Sequence, residues 1–457
     1  MRIAVFCLAR ATFDVELAGK VAAEALASLK RAGAEILGDA ELLLEPAQAQ
    51  ERLQGLADEP LDGVLILQAS FCDAAMTTLI GKTLEAPVAV WAFPEPRDGD
   101  RLRLNSFCGL SLASHALGKA GLGCGWLHAP PGQRPDLEAL FGTPGPEPAL
   151  RPAAPAANGA AAQPLACKVG LVGEHPAGFD TCAFDEADLA ARFGVRVEHI
   201  ALEKLFQAAE AAAPERIAEL RTELEAQLEG TDEIDSTQFD RSLRCYAALR
   251  GLADERGLEG YAIRCWPETF TEYGCAVCGA MARLNGERTP AACEADMLGA
   301  LGSRLLQELA DAPAMLTDIV DMDAEDDTSV LWHCGLAPLD FCDPDFAPRA
   351  TIHTNRRMPL LHEFPLKPGR VTLARISQAR GEMKMVVGRG EILRRPMSFT
   401  GTSGVLRFDC GTAAARRALV GTQLEHHVSL VYGDVKAGVE AAAAAVGLRL
   451  LDLDEAC

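Results

Sequence analysis

The sequence has no long hydrophobic run, and this absence bears on where the protein works. No apolar stretch approaches the roughly 20 residues that a membrane-spanning helix needs. The apolar run at residues 3–8 is too short for a secretory signal and is typical of a first buried strand. We therefore expect a soluble protein of the cytoplasm with no membrane partner.

A surplus of positive charge is also missing. Lys+Arg number 43 against 65 for Asp+Glu, a formal net charge of -22. This balance repels polyphosphate backbones, so nucleic acid is not an expected partner. The fifteen cysteines lack the regular spacing of small secreted scaffolds, and an odd total cannot pair completely within one chain. Reduced thiols in the cytoplasm are the simpler interpretation.

The chain does contain core material for several domains. Apolar residues make up 49% of its 457 residues, which are more than one hydrophobic core usually organises. Strand-like runs alternate with helical patterns before and after a Pro/Ala/Gly tract at 143–164, whose composition indicates a linker. From about residue 371, runs with the strand period are separated by glycine-rich turns. We predict an α/β fold with two Rossmann-like parallel-sheet domains, at 1–142 and 165–320, and a β-rich, barrel-like domain at 321–457.

Two carboxylates stand at the ends of predicted elements, where the scaffold holds the backbone while the side chain can face a cleft. Thr289 could cap a helix and Pro290 could occupy its first turn, which would place Glu294 near the helix start. Asp318 ends the short apolar strand predicted at 314–318. Carboxylates at such positions are ordinarily solvated or capping, so position alone does not assign them a site.

Histidines occupy two similar positions. His333 ends a strand predicted at 329–333, and the adjacent His426 and His427 open an apolar run. The strand period sends neighbouring side chains to opposite faces, so we expect only one of these two histidines to join a given site. An imidazole with two carboxylates suits Mn²⁺, Mg²⁺, Co²⁺ or Zn²⁺ and leaves positions for substrate oxygens.

Three segments around these residues resemble the motifs of the L-fucose isomerase and L-arabinose isomerase superfamily, in order and in approximate spacing: 293–297 (CEADM), 316–318 (LTD) and 427–435 (HVSLVYGDV). The resemblance is clearest from about residue 265 to the end. It implies that Glu294, Asp318 and His427 bind a divalent metal, Mn²⁺ or another such ion, and that the two carboxylates are also the acid/base pair. His333 resembles a further histidine of the arabinose isomerases, whereas the fucose isomerases do not match there.

The resemblance also implies a small sugar substrate and a homo-oligomer with pockets near subunit interfaces. Segments 70–76 and 105–109 match places where family members line the pocket. We expect substrate contacts from His333, Trp266, Glu268 and Arg356, although Glu268 could equally be a surface residue. Arg356 and Arg357 could hold a phosphate or sulfonate through bidentate guanidinium contacts, but paired arginines are more often exposed.

The expected reaction is aldose–ketose isomerisation by proton transfer through an enediol. A metal that chelates O1 and O2 polarises the adjacent C–H bond, and carboxylates move the proton. A pentose, a 6-deoxyhexose and a C6-modified hexose such as a sulfonated one would all need this chemistry.

Two other functions are compatible with the sequence. One is a non-catalytic sugar-binding or regulatory protein on the same fold. The other is a zinc or redox protein that uses the CxxC pair Cys275 and Cys278, whose apolar surroundings favour simple packing.

Overall fold

Three β-sheets organise the computed structural model, which describes residues 1–56, 58–142, 148–154 and 165–455. Two sheets are parallel and the third is larger and mixed, so the predicted α/β fold class is confirmed. Across these described ranges, no helix is both long enough and apolar enough to cross a bilayer.

The first sheet is parallel and has the strand order β2-β1-β4-β5-β6, with β3 also paired to β1. Its strands are β1 (Arg2–Leu8), β2 (Glu35–Leu37), β3 (Leu42–Leu43), β4 (Gly63–Gln68), β5 (Val88–Ala92) and β6 (Cys124–His128). The helices that connect or follow them are α1 (Val15–Arg31), α2 (Pro46–Gln54), α3 (Ala74–Thr83), α4 (Ser106–Lys119) and α5 (Leu137–Phe141). Strands β1, β4 and β5 are almost wholly buried, as near-continuous apolar runs require in a sheet covered on both faces.

The predicted linker at 143–164 lies mostly outside the described residues. Its described part contains β7 (Arg151–Pro152), which pairs with a strand near the end of the chain. The linker and domain boundaries remain predictions.

The second sheet is parallel and has the order β11-β10-β8-β9. Its strands are β8 (Lys168–Val172), β9 (Arg196–Ile200), β10 (Gly260–Ile263) and β11 (Ala291–Ala292). The accompanying helices are α6 (Glu186–Phe193), α7 (Leu202–Glu210), α8 (Pro214–Glu225), α9 (Ser236–Arg256), α10 (Cys278–Gly286) and α11 (Met297–Ala310).

The third sheet closes on itself. Strands β18-β13-β12-β19-β16-β17 pair in that order, and β17 pairs again with β18, so six strands form a barrel. Its strands and helices are β12 (Met315–Asp323), β13 (Thr328–His333), β14 (Arg349–Thr351), β15 (Leu361–Pro365), β16 (Gly369–Ser377), β17 (Lys384–Leu393), β18 (Thr402–Phe408), α12 (Thr412–Gly421), β19 (His427–Tyr432), α13 (Lys436–Ala445) and β20 (Arg449–Asp452). Strands β14, β15, β20 and β7 extend this sheet beyond the barrel. Strand β12 starts before the predicted boundary at residue 321.

One local prediction is wrong: the helix expected from Pro290 onward begins later. After Pro290 the chain first forms β11 alongside β10, and it then turns through Glu294 and Ala295, whose φ angles are 58° and 55°. Helix α11 starts at Met297 because the Asp296 carboxylate accepts the Gly299 amide at 2.8 Å and caps the helix. Glu294 therefore projects from a tight left-handed turn.

The sheets are arranged so that strand ends meet. Arg10 follows β1 in the first sheet, and Trp266 follows β10 in the second, so both lie beyond the carboxyl ends of parallel strands, where ligands bind in open α/β sheets. The barrel contributes residues of β12, β13 and β19 to the same place. One apolar core contains buried residues of all three sheets, including Ile66, Ile263 and Leu373.

Candidate active site

A single cavity collects most of the predicted site residues. It is lined from all three sheets by Arg10, Thr12, Phe13, Phe71, Asn105, Cys108, Cys265, Trp266, Phe270, Cys278, Cys293, Glu294, Asp318, Trp332, His333, Cys334, His353, Asn355, Arg356, His426 and His427. The structure therefore brings together Glu294, Asp318 and His427, which are far apart in the sequence.

Barrel pairing sets the positions of Asp318 and His427. Strands β12 and β19 are antiparallel neighbours in which Asp318 stands opposite His427. His427 Nε2 lies 3.5 Å from Asp318 Oδ1, and that buried oxygen has no hydrogen-bond partner among the residues that the structure describes. A buried oxygen left unpartnered is costly in a folded protein, so a cation at this point would supply the missing interaction.

Glu294 approaches the same point from the second sheet. Its Oε2 lies 3.7 Å from His427 Nε2 and 3.1 Å from His426 Nε2, while its Oε1 accepts the Trp266 indole N–H at 3.0 Å. The left-handed backbone at Glu294 is uncommon for a residue with a side chain and tends to occur at functional sites. These contacts hold the carboxylate toward the histidines.

Both adjacent histidines reach the site, which corrects the expectation that only one would. Strand β19 begins at His427, so His426 lies outside the regular alternation that separates neighbouring side chains. The two ring centroids are 3.8 Å apart, and both rings line the cavity. His426 was thus missed because its backbone is not yet that of the strand.

Asp296 orients His427 from behind. Its Oδ2 lies 2.9 Å from His427 Nδ1, so Nδ1 carries the proton and the Nε2 lone pair faces Glu294 and Asp318. The fully buried Arg375 donates to the same Asp296 oxygen. Carboxylates that fix a histidine tautomer in this way are common behind metal-binding imidazoles. Asp296 had no assigned role in the sequence interpretation, although it stands two residues after Glu294.

His333 has a different environment. The Cys334 amide donates to His333 Nδ1 at 2.9 Å, and Nε2 of the same ring lies 2.9 Å from Cys293 Sγ. Both ring nitrogens therefore have protein partners, and His333 also lines the cavity.

Burial and neighbouring charges push the pKa values of the two carboxyl groups apart. Burial opposes ionisation of Glu294, but the hydrogen bond from His426 and the two imidazoles hold its pKa at about 2. Burial, together with the Glu294 and Asp296 charges, raises the pKa of Asp318, which the two histidines only partly offset. Burial and His426 lower the pKa of His427, which favours the neutral ring that a metal ligand requires.

Three groups of side chains in the described ranges bring potential ligand atoms within 4.8 Å of one another, and His427 belongs to all three. One group is Glu294, His426 and His427, and the other two include Cys293 with His333 and Cys182 with Asp296. Asp318 is outside these groups but adjoins His427. A metal here would therefore be held around His427.

The predicted substrate contacts divide into two sets. Trp266, His333 and Arg356 line the cavity. Glu268 is not among the lining residues, because its carboxylate forms a paired contact with Arg264 at 2.7 Å. Arg10 lines the cavity but was missed, and its position directly after a buried parallel strand is the signal that could have identified it.

Two further sequence expectations concern the cavity wall. Phe71, Asn105 and Cys108 line it, so segments 70–76 and 105–109 contribute to the pocket of their own chain. In the CxxC pair, Cys275 is buried 4.0 Å from Cys245, while Cys278 reaches the cavity. The metal-compatible groups found in the described ranges contain neither Cys275 nor Cys278.

Comparison with known proteins points to one kind of enzyme. Residues 4–137 match the family model "Fucose/sulfoquinovose isomerase, N-terminal domain". A sulfoquinovose isomerase of Priestia aryabhattai is 28% identical over 430 residues, which cover 94% of each chain. That of Alkalicoccus urumqiensis is 29% identical over 433 residues, again 94% of each chain. The sulfoquinovose isomerase of Clostridium sp. (strain MSTE9) is 29% identical over 392 residues, covering 84% of this chain and 85% of the relative.

Proposed function

We propose that this chain, which belongs to the fucose isomerase-like family, is a divalent-metal-dependent aldose–ketose isomerase that acts on a sulfonated hexose. The observation that carries the proposal is the convergence of Glu294, Asp318 and His427 on one point of a cavity. His427 Nε2 lies 3.5 Å from the Asp318 oxygen and 3.7 Å from the Glu294 oxygen. The relatives that match this chain over 94% of both lengths are named sulfoquinovose isomerases.

The donor set fits a divalent cation. Two carboxylates and a neutral imidazole are ligands that Mn²⁺ accepts readily, and Mg²⁺, Co²⁺ or Zn²⁺ are alternatives. Within the described part of the chain, the buried Asp318 oxygen has no hydrogen-bond partner, and Asp296 keeps the His427 lone pair directed at the same point. We therefore assign Glu294, Asp318 and His427 to hold the ion. When bound, it would polarise the sugar oxygens at C1 and C2 as a Lewis acid.

The two carboxylates supply the proton transfer. Isomerisation moves a proton between C1 and C2. It needs a base within reach of the carbon that loses the proton and an acid within reach of the oxygen that gains one. Glu294 and Asp318 reach His427 from different sheets, so they flank the point where these atoms would lie. The Trp266 indole and the His426 ring hold Glu294, while barrel pairing fixes Asp318. Each such group typically accelerates its step by ~10²–10⁴-fold.

Location and assembly are part of the same proposal. Fourteen described cysteines are all free thiols, which supports a reducing cytoplasm. A homo-oligomer is proposed from the family resemblance, and light scattering of the purified protein tests it: a monomer mass of 48.5 kDa would contradict it.

The test of the function is turnover by metal-stripped protein. Protein treated with a chelator is incubated with sulfoquinovose, glucose, fucose and arabinose, with and without added Mn²⁺, and ketose formation is followed by NMR. We expect ketose from sulfoquinovose with Mn²⁺ and none without metal. Sugar binding without turnover under all conditions would favour the non-catalytic sugar-binding protein.

A further inference from the structure

Two arginines, Arg10 and Arg356, stand out in the cavity wall by their lack of acidic partners among the described residues. Arg10 and Arg356 line the wall, and in the described part of the chain neither guanidinium forms an ion pair or a side-chain hydrogen bond. By contrast, Arg264 near the same wall is paired with Glu268. In a chain with 65 acidic and 43 basic residues, two unpaired guanidiniums in one cavity form a concentrated positive site.

Both guanidiniums lie against the same aromatic side chain, Trp266. The Arg10 guanidinium carbon lies 4.6 Å from the centroid of the Trp266 ring, and that of Arg356 lies 5.0 Å from it. Arg10 also faces Phe71 at 6.0 Å, and Arg356 faces Phe270 at 5.3 Å. Contacts of this kind position a guanidinium while leaving its N–H groups free for another acceptor.

Trp266 also contacts the proposed metal site. Its indole N–H donates to Glu294 Oε1 at 3.0 Å, while its ring contacts the two guanidiniums. One side chain therefore contacts both the guanidiniums and a carboxylate of the proposed metal site. A ligand that satisfies both sites must carry an anion at one end and vicinal oxygens at the other.

We propose that Arg10 and Arg356 together bind the sulfonate of the substrate and that Trp266 sets its distance from the reacting carbons. This inference rests on the proposed isomerase function. A sulfonate offers three acceptor oxygens, and guanidiniums pair with such groups through two parallel N–H bonds. Arg10 comes from the first sheet and Arg356 from the loop after β14, so the anion would bridge two parts of the fold.

The experiment compares steady-state kinetics of the Mn²⁺-loaded wild type with three variants. Arg10→Gln and Arg356→Gln remove one guanidinium each, and Arg357→Gln is the matched control because the adjacent Arg357 is exposed and absent from the cavity wall. We expect KM for sulfoquinovose to rise roughly 10- to 100-fold in each cavity variant, with a much smaller change in kcat, because the lost bonds bind a group remote from the reaction. Arg357→Gln should match the wild type.

Different results would refute the anion site and the proposed isomerase function. If the wild type does not convert sulfoquinovose, the function fails. If the wild type converts it and the variants Arg10→Gln and Arg356→Gln both keep its KM, the anion site is refuted. If the glutamine variants do not fold, Arg10→Lys and Arg356→Lys replace them. Lysine keeps the positive charge but cannot form the two parallel hydrogen bonds of a guanidinium, so KM for sulfoquinovose should again rise.

A second substrate tests whether the anion site prefers a sulfonate or a phosphate. Glucose 6-phosphate places a doubly charged anion one bond further from C6. We expect the wild type to show a higher KM for this sugar than for sulfoquinovose, because Trp266 fixes the spacing. A lower KM for the phosphate would overturn the sulfonate assignment.

Discussion

Asp296 is the residue whose substitution tests most directly how His427 is oriented toward the proposed metal site. One carboxylate oxygen accepts the Gly299 amide at 2.8 Å, and the other accepts from His427 Nδ1 at 2.9 Å and from Arg375. In Asp296→Asn, the side-chain oxygen can still accept the Gly299 amide and cap the helix. The NH₂ group of the asparagine then faces His427 Nδ1. Nδ1 then accepts, and the proton of the neutral ring moves to Nε2, where it blocks the metal-binding lone pair.

We expect Asp296→Asn to weaken both metal binding and folding. Removing such a supporting carboxylate typically weakens metal affinity 10- to 100-fold, which corresponds to about 1.4–2.7 kcal/mol. The buried Arg375 loses its charge partner as well, so we expect the variant to unfold more easily, by roughly 3–5 kcal/mol. Mn²⁺ affinity is measured by calorimetry on protein that circular dichroism shows to be folded.

A matched variant controls for the helix cap. Asp235 caps α9 by accepting the Gln238 amide at 2.8 Å, and it is not part of the cavity wall. Asp235→Asn should therefore leave Mn²⁺ affinity unchanged. A folded Asp296→Asn protein that binds Mn²⁺ as tightly as the wild type would refute the orienting role of Asp296.

Two further predictions concern Trp266 and a buried histidine. Trp266→Phe removes the indole N–H that reaches Glu294, so kcat/KM should fall at least about 10-fold, as loss of a hydrogen bond to a charged group implies; an unchanged kcat/KM would argue against this contact. His362 is buried, and burial lowers its pKa to about 4, against about 6.5 in an unfolded chain. Because its pKa is higher in the unfolded chain, the unfolded state binds this proton more readily. The stability that His362 contributes is therefore fully present above pH 6.5. It is lost as the pH falls to 4, by up to about 3 kcal/mol. Urea unfolding of wild type and His362→Asn between pH 7 and 4 checks this, since the variant should lose less stability, and equal losses would contradict the assignment.

The sequence predicted the scaffold better than the local turns. Alternating strand and helix patterns identified the parallel sheets, and the change to a strand period near residue 371 identified β16, β17 and β18 of the barrel. These patterns extend over many residues, so they record which faces are buried. The helix start near Pro290 was wrong because pairing of β11 with β10 is a tertiary contact that a cap signal cannot reveal.

The motifs predicted three residues that meet in the cavity, whereas the side chains around them were not predicted. Glu294, Asp318 and His427 lie in segments of recognisable type, and the structure brings them together. The roles of Arg10 and Asp296 depend on contacts across the fold. Arg10 meets Trp266 from another sheet, and Asp296 meets a histidine more than a hundred residues away. Neighbours of this kind leave no periodic signal in the chain.

We propose that Glu294 and Asp318 transfer a proton at a metal-polarised sugar. The most direct measurement is NMR of sulfoquinovose with Mn²⁺-loaded protein in D₂O, for wild type, Glu294→Gln and Asp318→Asn. We expect the wild type to form ketose and to introduce deuterium at the carbon next to the carbonyl. Each variant should lose at least about 10²-fold in rate. Ketose formation at the wild-type rate by either variant would refute the proton-transfer role of the substituted carboxylate.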